Sequence, residues 1–127
     1  MGPNDQIREM LRAGQHEVAE SEPLLVAMTQ AEFYAVFRGD PMGGAAMQGM
    51  ALEPQKYVLP LFTHEEIGRS SMSLEPGAWF DLVSIRQAAH FVLDRRWHGV
   101  CINFRERGWV IEGEFLAYLM SYIPKVA

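Results

Sequence analysis

Two short polar stretches of the chain, residues 94–98 and 105–109, each combine arginine with tryptophan. Arginine binds carboxylate and phosphate groups through paired hydrogen bonds, and both residue types are enriched at the centres of protein interfaces. We therefore predict that these side chains lie near one another and bind a partner protein. The alternative is a helix end whose charges are only solvated. The residues concerned are Arg95, Arg96, Trp97, Arg105 and Trp109.

A segment rich in glycine and methionine, residues 39–55, is a second candidate for partner binding. Its glycines and prolines predict a loop. Methionine side chains adapt to varied partners, which favours a contact surface. The same side chains could instead pack onto the domain, which is the commoner case because single apolar residues at a surface need no function. The candidates for the contact surface are Met42, Met47 and Met50.

A small-molecule site would have to use His64, His98 and Asn103. A cleft that united them would suit a sensor or an enzyme. However, Thr63-His64-Glu65-Glu66 matches a capping box, in which the first and last residues exchange hydrogen bonds at a helix start. Asparagine after a strand commonly fastens its own turn. Since the sequence offers neither a catalytic triad nor a phosphate-binding loop, we expect a protein that is not an enzyme.

Cys101 is the only cysteine, so the chain forms no internal disulfide. It lies in an apolar run, which predicts a buried and unreactive thiol. Without a cysteine pair or a close histidine pair, we expect no structural zinc site, no other metal and no cofactor.

The overall composition favours one globular domain with a protein partner. The chain has 127 residues, of which 49% are apolar and 21% are charged. Its 16 acidic and 11 basic residues give a net charge of −5, which disfavours nucleic acid and anionic membranes as partners. The polar N-terminus resembles no signal peptide, and no run is long enough to span a bilayer. We expect a cytoplasmic monomer or homodimer.

Apolar spacing and turn residues predict about four helices and five strands. The helical pattern covers a lead-in made of residues 4–18 and a short segment beginning at Ser21, then a short segment after Thr63 and residues 85–96 and 113–123. The strand pattern covers residues 32–37, 57–62, 78–83, 99–103 and 109–111. The interleaving predicts an α/β (α+β) fold, a single domain with one mixed sheet and helices packed on it.

Three local signals define element ends. Ser84 and Gln87 form a second capping box, which predicts a helix start at Ile85. Pro60 donates no ladder hydrogen bond, so it predicts a bulge or an unpaired side in its strand. Pro124 is expected to stop the last helix.

The run Tyr57-Val58-Leu59-Pro60-Leu61-Phe62-Thr63 resembles a strand of the SseB-like family, the N-terminal domain of the bacterial enhanced-serine-sensitivity protein. Pro76-Gly77-Ala78, the run from Gly99 to Asn103 and the closing helix follow in the family's order, so the resemblance covers roughly residues 5–122. The chain departs from it after Asn103, where Phe104 replaces a common proline. The resemblance implies a small bacterial α/β domain without established catalytic residues. It also implies protein binding, since some members lie near secretion or toxin systems.

Overall fold

Two short helices lead into a chain that alternates between strands and helices. The computed structural model describes residues 2–14, 22–39, 45–106 and 108–126. Within these ranges the chain forms five helices and seven strands. The helices are α1 (Pro3–Arg12), α2 (Glu22–Gln30), α3 (Glu65–Ser71), α4 (Ile85–Arg95) and α5 (Gly113–Val126). The strands are β1 (Glu32–Arg38), β2 (Ala46–Met47), β3 (Met50–Glu53), β4 (Lys56–Leu61), β5 (Ala78–Ser84), β6 (Gly99–Ile102) and β7 (Trp109–Glu112).

The strands of the described chain form two sheets. One is antiparallel with the order β2-β1-β5, and the other is mixed with the order β3-β4-β6-β7, in which β4 and β6 run parallel. Tyr34 and Phe62 join the sheets by two backbone hydrogen bonds of 2.8 and 2.9 Å. The predicted α+β class is confirmed, but the single mixed sheet is wrong. The reason is that residues 45–53, predicted as loop, form β2 and β3, and these pair with different neighbours.

Pro60 lies where β4 changes its neighbour. Val58 is the last residue of β4 that pairs with β3, opposite Met50. Two residues after Pro60, Phe62 pairs with Tyr34 of β1 instead. Because backbone groups alternate along a strand, residues 58, 60 and 62 face the same edge, and the missing N–H falls between two partners. The prediction of an unpaired side at this proline is confirmed.

The main core lies between the sheets and helices α1, α2, α4 and α5, each of which contributes buried apolar side chains. The largest of these include Ile7, Leu24, Met28, Phe33, Leu59, Leu61, Ile85, Ile102 and Leu116. Helix α3 packs elsewhere, with Gly68 against the rings of Phe80 and Phe62. No helix in the described ranges has the length and apolar character needed to cross a bilayer.

Two helix starts test the predicted capping boxes. The capping box at Ser84 is confirmed, because its hydroxyl accepts from the Gln87 amide at 3.1 Å and the Gln87 side chain accepts from the Ser84 amide at 2.8 Å. The capping box at Thr63 is wrong: His64 is the N-cap of α3 and makes no side-chain cap. The Thr63 side chain is instead buried in contacts with other partners, described below.

The first and last helices differ from their predicted lengths. Helix α1 ends at Arg12, just before Gly14, which has a positive φ of 77°. The rest of the predicted helix, residues 15–18, lies outside the described residues. Helix α5 continues to Val126, so the predicted stop at Pro124 is wrong. The helix runs two residues past this proline, although the proline cannot donate a hydrogen bond to the preceding turn.

Candidate functional site

Three aromatic side chains from β4, α4 and the turn after α4 form a continuous row at the surface. Trp97 is central: its ring centroid lies 4.7 Å from that of Tyr57 and 5.3 Å from that of Phe91. Tyr57 is 41% exposed, whereas Trp97 and Phe91 are half-buried. Tilted and edge-to-face contacts favour definite ring orientations. We call this row of Tyr57, Trp97 and Phe91 the aromatic ridge.

The end of α4 sets the position of Trp97. Arg96 takes a left-handed backbone conformation, with φ 57° and ψ 35°, and the Trp97 amide donates back to the Val92 carbonyl at 3.1 Å. This reversal is a common way to end a helix. The next residue, His98, donates its amide to the Tyr57 carbonyl at 2.8 Å. Trp97 is therefore held between a helix end and the start of β6.

The glycine- and methionine-rich segment packs against the same ridge. A Cβ at Gly49 would lie 2.6 Å from ring atoms of both Trp97 and Tyr57, so only glycine fits there without a shift. The Tyr57 hydroxyl also donates to the Gly49 carbonyl at 3.2 Å. Met47 lies beside Phe91 in an open groove of about 500 Å³. The structure thus joins two features that the sequence suggested separately.

Arg95 and Arg96 lie beside the ridge. The Arg95 guanidinium carbon is 3.6 Å from the centre of the Phe91 ring, a cation–π contact. Arg96 is exposed. In the part of the chain that the structure describes, neither arginine pairs with a carboxylate, whereas Arg8, Arg12, Arg38 and Arg69 all do. Two cations are therefore available to a ligand at this surface.

Arg105 and Trp109 do not join this surface. Strand β7 runs antiparallel to β6, with Trp109 opposite Ile102 and Glu112 opposite Gly99. Trp97 lies just before Gly99, at the start of β6. Trp109 lies opposite Ile102, three residues after Gly99, which is about 10 Å along the strand at ~3.3 Å per residue. The prediction that all five residues form one patch is wrong, because the hairpin returns Glu112 to the start of β6. The Trp109 ring packs on Phe115, at 5.8 Å between centroids, and Arg105 lies near Phe104.

The three candidate methionines have different outcomes. Met47 packs against the core and the groove beside Phe91. Met50 is half-buried and pairs with Val58 in the hairpin of β3 and β4. Met42 lies outside the described residues. Packing onto the domain and contact with a partner are both compatible with the half-buried state of Met47.

His64 belongs to a row of polar side chains at the other end of the sheet. Asn103 and Thr63 are each only 1% exposed. Asn103 accepts from the Thr63 amide and donates to its hydroxyl, both at 3.0 Å. The same hydroxyl lies 2.8 Å from His64 Nδ1, and His64 Nε2 lies 2.8 Å from an Asp5 oxygen. Every contact is satisfied if the threonine hydroxyl donates to Nδ1 and the Nε2–H donates to Asp5.

The hydrogen bonds of this row affect the pKa of Asp5 and the reactivity of Thr63. The hydrogen bond from His64, aided by one from the Gly2 amide, lowers the pKa of Asp5 below its usual range. Both ring nitrogens of His64 are engaged and the Thr63 hydroxyl is buried. The row therefore presents no accessible nucleophile, and its hydrogen bonds link α1 to the residues that follow β4 and β6.

The groove above His64 has a volume of about 650 Å³ and carries four carboxylates without a basic side chain beyond the histidine. His98 lies at the opposite end of β6, 3.8 Å from a Glu112 oxygen. The predicted cleft that unites His64, His98 and Asn103 is therefore wrong, because β6 separates the last two and Asn103 is buried. Among the described residues, no three histidine, cysteine or acidic side chains are grouped to hold a metal ion.

One contact between distant segments was not predicted from the sequence. Arg8 of α1 donates twice to Glu106 in the turn after β6, from Nη2 at 2.8 Å and Nε at 3.3 Å. These hydrogen bonds lower the pKa of Glu106 and raise that of Arg8. The contact fastens the first helix to a turn 98 residues later. Tyr57 and Phe91 were also missed as ridge members, since only the fold brings them beside Trp97.

The chain matches no family model, no characterised protein and no solved structure. The resemblance to the SseB-like family thus stays a prediction.

Proposed function

We propose that this protein is a non-catalytic interaction module that binds another protein through the aromatic ridge together with Arg95 and Arg96. The observation that carries the proposal is a positioned row of three aromatic rings that stays partly exposed beside two arginines without an ion pair in the described ranges. Aromatic and arginine side chains contribute most of the binding energy in many protein interfaces. Rings already positioned in the free protein lose little conformational freedom on binding.

The chemistry of the other surfaces supports a binding role over a catalytic one. The polar row at His64 is internally satisfied, as described above. The Cys101 thiol is buried, and burial raises its pKa to about 11, so it stays protonated and unreactive at neutral pH. On the resemblance, the module would act in the bacterial cytoplasm as an adaptor, chaperone-like or immunity-type protein, as a monomer or homodimer.

Photo-crosslinking in cells of the native host tests the proposal. Benzoylphenylalanine at position 57 replaces a ridge tyrosine that is 41% exposed. The matched control is position 118, a tyrosine of α5 that is 42% exposed and lies outside the ridge. We expect a discrete protein adduct from position 57 and none of that size from position 118.

The captured protein must then bind the purified module directly. Phe91→Ala should weaken its binding by about tenfold or more, the loss typical of an interface anchor. Circular dichroism and thermal melting show whether this variant keeps its fold. Equal adducts from both positions, or undiminished binding of the Phe91→Ala protein, would contradict the proposed surface.

A further inference from the structure

The ridge and its arginines also indicate the chemistry of the partner. We propose that the ridge receives a partner segment that combines carboxylate side chains with apolar ones, the carboxylates binding Arg95 and Arg96. This inference rests on the proposed function and adds the partner's charge to it.

The first argument is charge. Carboxylates outnumber cations in this chain, 16 to 11, so an arginine readily finds an internal partner. Four arginines of the described chain do so, whereas Arg86, Arg95, Arg96 and Arg105 do not. Of these four, Arg95 and Arg96 adjoin the ridge. Asp94 lines the groove next to Phe91 and forms no ion pair within the described ranges. Because two arginines lie beside one carboxylate, this surface is positive on a protein of net charge −5. A carboxylate of the partner would complement it.

The second argument is the geometry of Arg95. Its guanidinium carbon lies 3.6 Å from the Phe91 ring centre, so the ring holds the cation in place before any ligand arrives. The N–H groups of a guanidinium lie in its plane, in a fork that matches the two oxygens of a carboxylate. Apolar side chains of the same segment would then contact the neighbouring rings of Trp97 and Tyr57.

The third argument is the backbone at Arg96. Its φ of 57° is left-handed, a conformation that helix ends usually give to glycine or asparagine. Two other described residues besides glycine have a positive φ. Gln55 lies in the tight turn between β3 and β4, and the Asn103 side chain makes two buried hydrogen bonds. The Arg96 side chain makes no ion pair in the described chain. Strained residues of this kind cluster at functional sites, so we infer that the guanidinium is needed for binding.

Selection from a random twelve-residue peptide library displayed on phage tests the inference without assuming a partner. Three purified baits are compared: the wild-type protein, the Arg95→Gln/Arg96→Gln double variant, and Arg86→Gln. Arg86 is the matched control, since it is an exposed arginine of the same helix in its first turn. We expect wild-type and Arg86→Gln to enrich peptides with net negative charge and apolar side chains. The double variant should lose the acidic bias.

A synthetic copy of the most enriched peptide gives the second measurement. Arg96→Gly removes the guanidinium while relieving the backbone, so its melting temperature should rise and its affinity should fall about tenfold, as for one lost charged hydrogen bond. The rise in melting temperature shows that weaker binding does not come from misfolding. The Trp97 indole N–H signal in nuclear magnetic resonance spectra should shift when the peptide binds.

The outcomes separate this inference from the proposed function. Neutral or basic peptides that still require Phe91 would overturn the acidic partner and leave the proposed surface standing. Equal acidic bias on the double variant, or tighter binding of a single-stranded oligonucleotide than of the peptide, would also overturn it. If no peptide is enriched, the inference fails, while crosslinking at position 57 decides the proposed function independently.

Discussion

Replacing Asn103 should destabilise the protein in two ways, through lost hydrogen bonds and through backbone strain, and two variants separate these contributions. Its side chain is 1% exposed and bonds the Thr63 amide and hydroxyl, both at 3.0 Å. Its backbone has a left-handed φ of 51°. Asn103→Ala loses the two hydrogen bonds and places a Cβ-bearing residue without a polar side chain in that conformation. Asn103→Gly loses the same bonds but tolerates the conformation.

The magnitudes follow from these two contributions. An unpaired buried amide costs about 1–3 kcal/mol, and we take roughly 2 kcal/mol for the Thr63 amide. The left-handed conformation adds roughly 1 kcal/mol for alanine relative to glycine, once the greater flexibility of unfolded glycine is allowed for. We therefore expect Asn103→Ala to lose about 3 kcal/mol and Asn103→Gly about 2 kcal/mol of unfolding free energy.

Urea denaturation followed by tryptophan fluorescence and by circular dichroism measures both values. Coincident transitions from the two probes are needed for a two-state analysis. Losses below about 1 kcal/mol in both variants would refute the reasoning, because the Thr63 amide would then not depend on Asn103. A glycine variant less stable than the alanine variant would refute the backbone argument alone.

Three further predictions concern other contacts. Ser84→Ala should cost about 1 kcal/mol in urea, since it removes a capping bond to Gln87. Because its pKa is lowered in the fold, Glu106 contributes stability that is fully present above its unfolded pKa and is lost as the pH falls through the folded value. Glu106→Gln should therefore lose less stability than wild type on acidification, by up to about 1 kcal/mol. Cys101 should resist iodoacetamide at pH 8 until the protein is unfolded, as mass spectrometry would show.

The sequence patterns correctly predicted the features that depend on contacts within a single segment. The capping box at Ser84 needs only its own helix turn, and it is present as predicted. The strand containing Pro60 was predicted with a bulge or an unpaired side, because a proline lacks an N–H wherever its strand lies, and the unpaired side is present. The α+β class follows in the same way from apolar periodicity.

Long-range pairings decided the features that the sequence could not predict. Thr63 begins a sequence that fits a capping box, yet its hydroxyl bonds Asn103, which is 40 residues away. The glycine-rich segment splits between two sheets because its two strands find different neighbours. The predicted patch failed on hairpin register alone, since Trp109 lies opposite Ile102 instead of Gly99. None of these pairings leaves a signal within the segments themselves.

The two ends of β6 show how a similar backbone conformation serves stability at one site and, on our proposal, binding at the other. Asn103 follows the strand and its side chain compensates the left-handed backbone with buried hydrogen bonds. Arg96 precedes the strand with a similar φ, and its exposed side chain makes no ion pair in the described chain. Glycine should thus destabilise the protein at position 103 and stabilise it at position 96. The expected signs differ because glycine would lose buried hydrogen bonds at position 103 but no described ion pair at position 96. A more stable Arg96→Gly protein that binds the peptide more weakly would therefore assign the Arg96 side chain to binding.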